Sequence, residues 1–382
     1  MRLSRLIALG SAAVLASAPL SADPPEVSVG ADELLAPYHA KLAATVDMPL
    51  APPNPELAAD TVLTRIAFGS CNEQNNRQHM WSLIAARDPQ AFLFIGDNIY
   101  GDPTWDGGAD LASLRAAYAK QSTHPEFIDF AAKIPMLTTW DDHDFGFNDG
   151  GAAFTHRRFA ETIFETYWRS PADVRERDGV YMSRMYGEAG TRVQVILLDT
   201  RFFRSNLRRP GEGEEGPAMG RFMPNQDPAA TVLGDAQWEW LEAELAKPAD
   251  LRIVVSSIQL ISTAHGWEAW YEMPLERQKM LDLLESRAES GLVVLSGDRH
   301  AGGIYQLAQG DETITEVTSS SLNVSYSTTA QSTAREPDAD RITDLIGEEN
   351  FGLVDIDWAA RELTFTLLGN KGQTHAQRKV AW

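Results

Sequence analysis

The chain reads as an α/β layered domain. Short apolar runs, among them Ala91–Ile95, Val193–Leu198 and Leu251–Ser256, are too brief for helices and suit buried strands. Segments with apolar residues at helical spacing separate them, and that alternation is the pattern of layered α/β folds. Almost every central run also ends in a cluster of polar, ligand-type residues.

The elements follow in order. Ala31–Val46 has helical spacing interrupted by Pro37, and "DMPLAPPNPEL" after it is extended and proline-rich. The main domain begins near Thr64. Arg65–Gly69 is a predicted strand, Gln78–Arg87 a helix and Ala91–Ile95 a strand. Helices are expected over Leu111–Lys120 and Pro125–Ala132, then a strand over Pro135–Trp140 and a helix over Thr155–Trp168. Val193–Leu198 is a strand, Asp235–Ala246 a helix, Leu251–Ser256 a strand, Pro274–Ala288 a helix and Leu292–Leu295 a strand. The tail carries strands at Ile304–Leu307, Thr313–Thr318, Gly352–Ile356 and Leu363–Leu367, expected to pair in a second, mixed or antiparallel sheet. Two long loops interrupt the rhythm. Arg204–Pro228 holds four arginines, Arg204, Arg208, Arg209 and Arg221, and Asn323–Asn350 is Ser/Thr-rich and then acidic. Loops of that length are either functional or plain linkers.

The amino terminus has the form of a secretory signal: Arg2 and Arg5, an apolar core over Leu6–Leu15, then small residues up to Ala22. The expected organisation is a signal peptide over 1–22, a helix and proline-rich linker over 23–63, and the main domain over 64–382, in a periplasmic or secreted protein. The apolar core is shorter than a membrane span requires. The net charge of −21 repels nucleic acid and anionic membranes. No nucleic-acid readout and no membrane span are expected. No glycine fingerprint of a nucleotide fold and no G-x-S-x-G elbow is present.

The strand ends carry the chemistry. They read "SCN", "GDNIYGD", "DDHDFGFND", "DTR" and "SGDRH", supplying Cys71, Asp97, Asn98, Tyr100, Asp102, Asp141, Asp142, His143, Asp144, Asn148, Asp149, Asp199, Asp298 and His300. Sites in α/β sheets form at the carboxyl ends of strands. Carboxylates gathered there repel one another unless cations neutralise them, so a metal site, with more than one ion, is expected. Each motif alone is commonplace; the ordered conjunction is not.

The series "FGSCN", "FLFIGDNIYGD", "TTWDDHDFG", "VILLDTRFFR", "VVSSIQLISTAHGWEAW" and "VVLSGDRHAGGIY" resembles the PhoD-like (alkaline phosphatase D) branch of the calcineurin-like metallophosphoesterases. The resemblance implies a sandwich of two mixed β-sheets flanked by helices, and hydrolysis of a small-molecule phosphate mono- or diester by a metal-activated hydroxide. It implies that Asp97 bridges two metals, with Cys71, Tyr100 and Asp298 on a trivalent iron, Fe(III), and Asp141 and Asn148 on a calcium-like second site, Ca(II). His143 and His300 would lie near the phosphate as ligands or as donors to the leaving group. Thiolate and phenolate suit Fe(III), and carboxylate and amide oxygens suit calcium. The first superfamily motif, Asp-x-His, is replaced here by "GSC", and the histidine near the fifth strand by Ser256 and Ser257.

Arg201 either contacts phosphate in a catalytic role or pairs with Asp199. Arg299 faces the phosphate or balances charge, and His265 and Trp267 are expected to line the substrate pocket, whereas Trp270 fits an aromatic core. Two alternatives stand beside the hydrolase: a non-catalytic metal- or phosphate-binding module on the same fold, and a phospholipase-type phosphodiesterase. Cys71, the only cysteine, either packs as a small apolar group or ligates metal.

Overall fold

A computed structural model describes residues 30–287, 291–326 and 336–382. The expected signal peptide, the first residues of the linker, the last residue of the helix expected to end at Ala288, and part of the Ser/Thr-rich loop lie outside the described residues. Two six-stranded sheets pack face to face. The first has the order β12-β11-β10-β1-β2-β3, with β1 Arg65–Gly69, β2 Ala91–Ile95, β3 Met136–Thr139, β10 Asn350–Asp357, β11 Glu362–Gly369 and β12 Thr374–Ala381. The second has the order β4-β5-β6-β7-β9-β8, with β4 Met182–Tyr186, β5 Val193–Leu197, β6 Leu251–Ser256, β7 Leu292–Ser296, β8 Gly302–Gln309 and β9 Glu312–Ser319.

Period-two alternation builds the layers. Ile66, Phe68, Leu93 and Ile95 of the first sheet meet Val195, Leu197, Ile253, Val255, Val293 and Leu295 of the second in the central core. Their neighbours point outward. Ala67, Phe92 and Phe94 pack under α2 (Met80–Ala85) and α4 (Pro125–Ala131), through Trp81, Phe127 and Phe130. Ile196, Val254 and Val294 pack under α8 (Gly234–Leu245) and α9 (Pro274–Glu285), through Trp238, Leu241, Leu281 and Leu284. A fourth cluster joins α3 (Ala112–Gln121) and α6 (Arg157–Trp168) through Leu114, Tyr118, Ile163 and Phe164.

Parallel pairing of β1 with β2 and β2 with β3, and of β5 with β6 and β6 with β7, turns the carboxyl ends of six strands toward one edge of the sandwich. The tail strands do not form one sheet of their own, as the sequence suggested. β8 and β9 join the second sheet, while β10–β12 close the first, with β10 antiparallel to β1. The helix α1 (Ala31–Ala43) also continues through Pro37. Its Asp32 accepts from Arg157 (2.8 Å) and Arg158 (3.1 Å) of α6, so tertiary contacts override the cost of an interior proline. No helix of the described residues is long and apolar enough to cross a membrane.

Candidate metal centre

The strand ends meet. Ligand atoms of Cys71, Asp97 and His300 lie within 4.8 Å of one another, as do those of Asp97, Asp141, Asp142 and Asp298, and those of Asp97, Asp142 and His143. Asp97 is common to all three groups. A further group joins Asp142 and Asp149 to Glu268. The tight turns leaving the strands put Cys71 (φ 58°), Asp97 (φ 48°), Asp298 (φ 65°) and His300 (φ 52°) in the left-handed region. That conformation is costly for any residue with a Cβ, and four such residues meet at this one place. Gly96 makes the approach possible, since a Cβ there would come within 2.7 Å of the Asp141 Cβ.

On the side of the first sheet, Asp97 Oδ2 lies 3.3 Å from both Cys71 Sγ and the Tyr100 hydroxyl. Tyr100 also meets His300 Nε2 at 2.9 Å, and its ring lies against His143 with centroids 4.0 Å apart. The Ser320 hydroxyl, at the end of β9, sits 3.2 Å from Cys71 Sγ and accepts the His300 N–H. His143 Nδ1 is 2.5 Å from Asp102 Oδ1, while its backbone N–H donates to Asp97 Oδ1 at 3.3 Å.

On the other side, Arg201 is fully buried and donates from Nε to Asp141 Oδ1 (2.6 Å) and from Nη1 to Glu268 (2.5 Å). Arg204, also buried, faces the second oxygen of Glu268 at 3.0 Å. Ser257 donates to Asp141 Oδ1 at 2.6 Å. Asp199 accepts the N–H groups of Arg201, Phe202 and Val180, so it shapes the turn after β5. Asp144 accepts from Asp141 N and from Asn98, closing the short helix α5 (Asp142–Phe145).

Burial makes this cluster electrostatically expensive. It pushes the Cys71 thiol up to about 12, and it raises Tyr100. Burial, then neighbouring negative charges, lifts the Asp97 and Asp298 carboxyls well above their ordinary range. Asp141 is raised by burial to about 7 against the pull of Arg201. Burial would also raise Asp142, but the His143 and Arg201 cations and the Asp149 N–H outweigh it and hold that carboxyl low. His143 is the converse: burial lowers it, yet Asp142, Asp97 and Asp102 bring it to about 11. His300 is driven down to about 4 by burial and the nearby His143 cation.

The residues fit metal cations. Asp141 Oδ2 and Asp142 Oδ1 are buried with no hydrogen-bond partner, so two oxygen acceptors are left for which a cation would be a partner. Thiol, phenol, imidazole and carboxylate donors surround the same point.

The remaining expected site residues lie at varying distance from this core. Asn148 is exposed, and its amide donates to Asp149 Oδ2 at 2.7 Å. Arg299 is buried and paired with Glu336 at 2.7 Å. His265 is buried, 3.0 Å from Gln259 Oε1, and belongs to the wall of a separate cavity of about 260 Å³ with Met219, Phe222 and Tyr271. Trp267 is half-buried, and its N–H donates to His265 Nδ1. In the arginine loop, Arg221 reaches Asp149, and the loop bridges to Gly266 through Gly220. Glu268 and Ser320 were not singled out from sequence. An acid set between Trp267 and Trp270 was the available signal for Glu268, and Ser320 in a serine run offered none.

The PhoD-like phosphatase family model matches residues 66–367. Alkaline phosphatase D of Bacillus subtilis (strain 168) is 23% identical over 283 residues, which is 65% of this chain and 47% of that protein. The chain therefore spans about half the length of that curated relative. The solved "Structure of PhoD" superposes with a TM-score of 0.62 at 16% identity, over 86% of this chain and 73% of that one, a likeness of fold. With the family model running from β1 to β11, the chain belongs to the PhoD-like phosphatases.

Proposed function

We propose that this chain is an exported, metal-dependent phosphoric ester hydrolase acting on small phosphate mono- or diesters. The observation that carries the reading is the convergence of Cys71, Asp97, Asp141, Asp142, Asp298, His143 and His300 on one buried point with orphaned carboxylate oxygens. Cys71, Asp97, Tyr100 and Asp298 would hold an Fe(III)-type cation. Asp97, Asp141 and Asp142 would hold a calcium-like one, with Asp149 and Glu268 at its outer side and Asn148 able to join by a side-chain turn. Bound cations would activate a water and offset the charge on the phosphoryl oxygens.

The protein groups supply the rest. The Asp142, Asp97 and Asp102 carboxylates favour the protonated form of His143, and its contact with Asp102 orients the ring. The other ring nitrogen can then donate to a leaving-group oxygen. His300, held neutral and against Tyr100, suits a ligand or acceptor role. Arg201 is enclosed by Asp141 and Glu268, which suits it to positioning Asp141. Arg221, half-exposed on the loop beside Asp149, is better placed for a substrate phosphate. The export reading rests on the basic and apolar opening of the sequence.

The test is metal analysis with a visible spectrum, followed by hydrolysis of mono- and diester substrates with and without chelator. Iron with a charge-transfer band and chelator-sensitive turnover are expected. Metal-bearing protein that turns over no ester would instead make it a binding module, and protein that takes up no metal would overturn the reading. Amino-terminal sequencing of protein recovered outside the cytoplasm checks export, with cleavage after Ala22 expected.

A further inference from the structure

At the opposite end of the second sheet, an open cavity of about 320 Å³ lies at the amino ends of the same parallel strands. Its wall includes Arg192, just before β5, Arg252 in β6, Lys247 beyond α8, and Arg287 beyond α9. The metal centre lies beyond the carboxyl ends of these strands. A strand of six residues spans about 20 Å, so the two places are separated by the depth of the sheet. In a chain of net charge −21, a pocket with four cationic side chains is a local inversion of the field.

The acids nearby do not neutralise it fully. Asp250 Oδ2 accepts the backbone N–H groups of Gly190 (2.7 Å) and Arg192 (2.9 Å). Glu244 takes the Lys247 ammonium at 2.6 Å. Arg192, Arg252 and Arg287 have no ion pair among the described residues. Arg252 is 5% exposed, and its Nη2 donates to Lys247 O at 2.9 Å at the end of α8. Its Nε and Nη1 are buried with no partner, as is the Nε of Arg287. Burial, and then Arg287, lowers the Arg252 guanidinium below its ordinary range. A buried guanidinium beside a second cation is a costly arrangement, and an oxyanion in the cavity offsets the positive charge that Arg192, Arg252 and Arg287 gather there.

We infer that the Arg192–Arg252–Arg287 cavity binds a phosphate-type oxyanion, either free phosphate or the phosphoryl group of a small ester, at a site distinct from the metal centre. Guanidinium forks match tetrahedral oxyanions. The cavity admits a small anion, and its Leu245, Ala246, Pro248 and Ala249 walls offer little to an extended polyanion. The site stands on its own residues and does not depend on the reading of the metal centre.

Equilibrium dialysis of the metal-loaded protein with inorganic phosphate, and separately with a non-hydrolysable phosphonate ester, tests this. Two sites per chain are expected, of which Asp97→Ala removes at most the one at the metal centre. Arg192→Gln and Arg287→Gln, at the half-buried rim where folding is not at stake, should each weaken the other site by about tenfold or more, equivalent to about 1.4 kcal/mol. Both should leave ester hydrolysis unchanged. The stronger of the two probes identifies the source of the anion. A chain that binds no anion when Asp97 is replaced, or Arg192→Gln and Arg287→Gln variants that bind as the parent does, would overturn the inference.

Discussion

Two sets of buried carboxylates share this molecule and meet opposite fates. In the outer layer of the second sheet, Glu316 accepts the N–H groups of Leu260 (2.9 Å) and Ile261 (2.6 Å), and Glu276 accepts those of Val232 and Leu233 together with the Thr231 hydroxyl and the Trp238 indole. Each oxygen there has a protein donor. At the strand ends, Asp97, Asp141, Asp142 and Asp298 stand against one another, and buried oxygens of Asp141 and Asp142 have no partner. Burial by itself therefore does not single out a functional acid. What separates the sets is whether the fold supplies donors or leaves the acceptors for something else.

The sharpest way to break that contrast is to remove an acid from each set. Asp97→Ala should reduce hydrolysis by about a thousandfold or more, because it removes the group common to three of the four ligand clusters. Its metal-free form should melt no lower than the metal-free parent, since like-charge repulsion is relieved, and calorimetry with chelator checks this. Glu316→Ala should do the reverse. It should cost about 2–4 kcal/mol in denaturant unfolding by stranding two buried N–H donors, with turnover per folded molecule kept.

Cys71→Ser tests the thiol against the carboxylates around it. Iron content, the charge-transfer band and activity should fall together, with the fold intact because the side chain keeps its size. A variant retaining both iron and activity would return Cys71 to simple packing.

The smallest effect probes an orphan acid outside the cluster. Both oxygens of Glu272 are buried without a partner, and burial, then Glu268, raises it to about 8. A raised carboxyl pKa means the folded state holds the proton more tightly. Its contribution is therefore fully present below about 4.5 and lost as pH rises through about 8. The melting temperature of Glu272→Gln, relative to the parent, should rise between pH 5 and pH 8. A constant difference across that range would show that Glu272 is paired in solution.

Much of this was legible in the sequence because the strands that place the site are buried on both faces. Apolar runs such as "AFLFI" and "VQVIL" announce themselves, and candidate site residues follow them closely, Asp97 after the first and Arg201 after the second. The edges were not legible. β12, "THAQRKVA", is an exposed edge strand without apolar alternation, and β4, "MSRMY", carries Arg184 in a five-residue element. The placement of β10 beside β1 depends on pairing across most of the chain, which no local pattern encodes. The same limit applies to Arg201. Its motif left Asp199 and phosphate as partners, whereas the fold delivers Asp141 from β3 and Glu268 from the segment after β6. Only backbone N–H groups separate Asp199, which shapes a turn, from the unsatisfied acids, and sequence does not show them.

The antiparallel seam between β1 and β10 has a consequence for biogenesis. Arg65 faces Asp355 and Phe68 faces Gly352, so the strand that carries Cys71 at its end acquires its second neighbour only after some 280 further residues have been made. Ser320, which braces the thiol, and Asp298 also arrive late in synthesis. A nascent chain emerging from its amino terminus thus presents the cysteine long before the surrounding ligand groups can enclose it. A chain halted before residue 350 carries the candidate ligands but lacks β10 beside β1, so Cys71 is not yet enclosed, and closure of the candidate site belongs after translation of the whole domain.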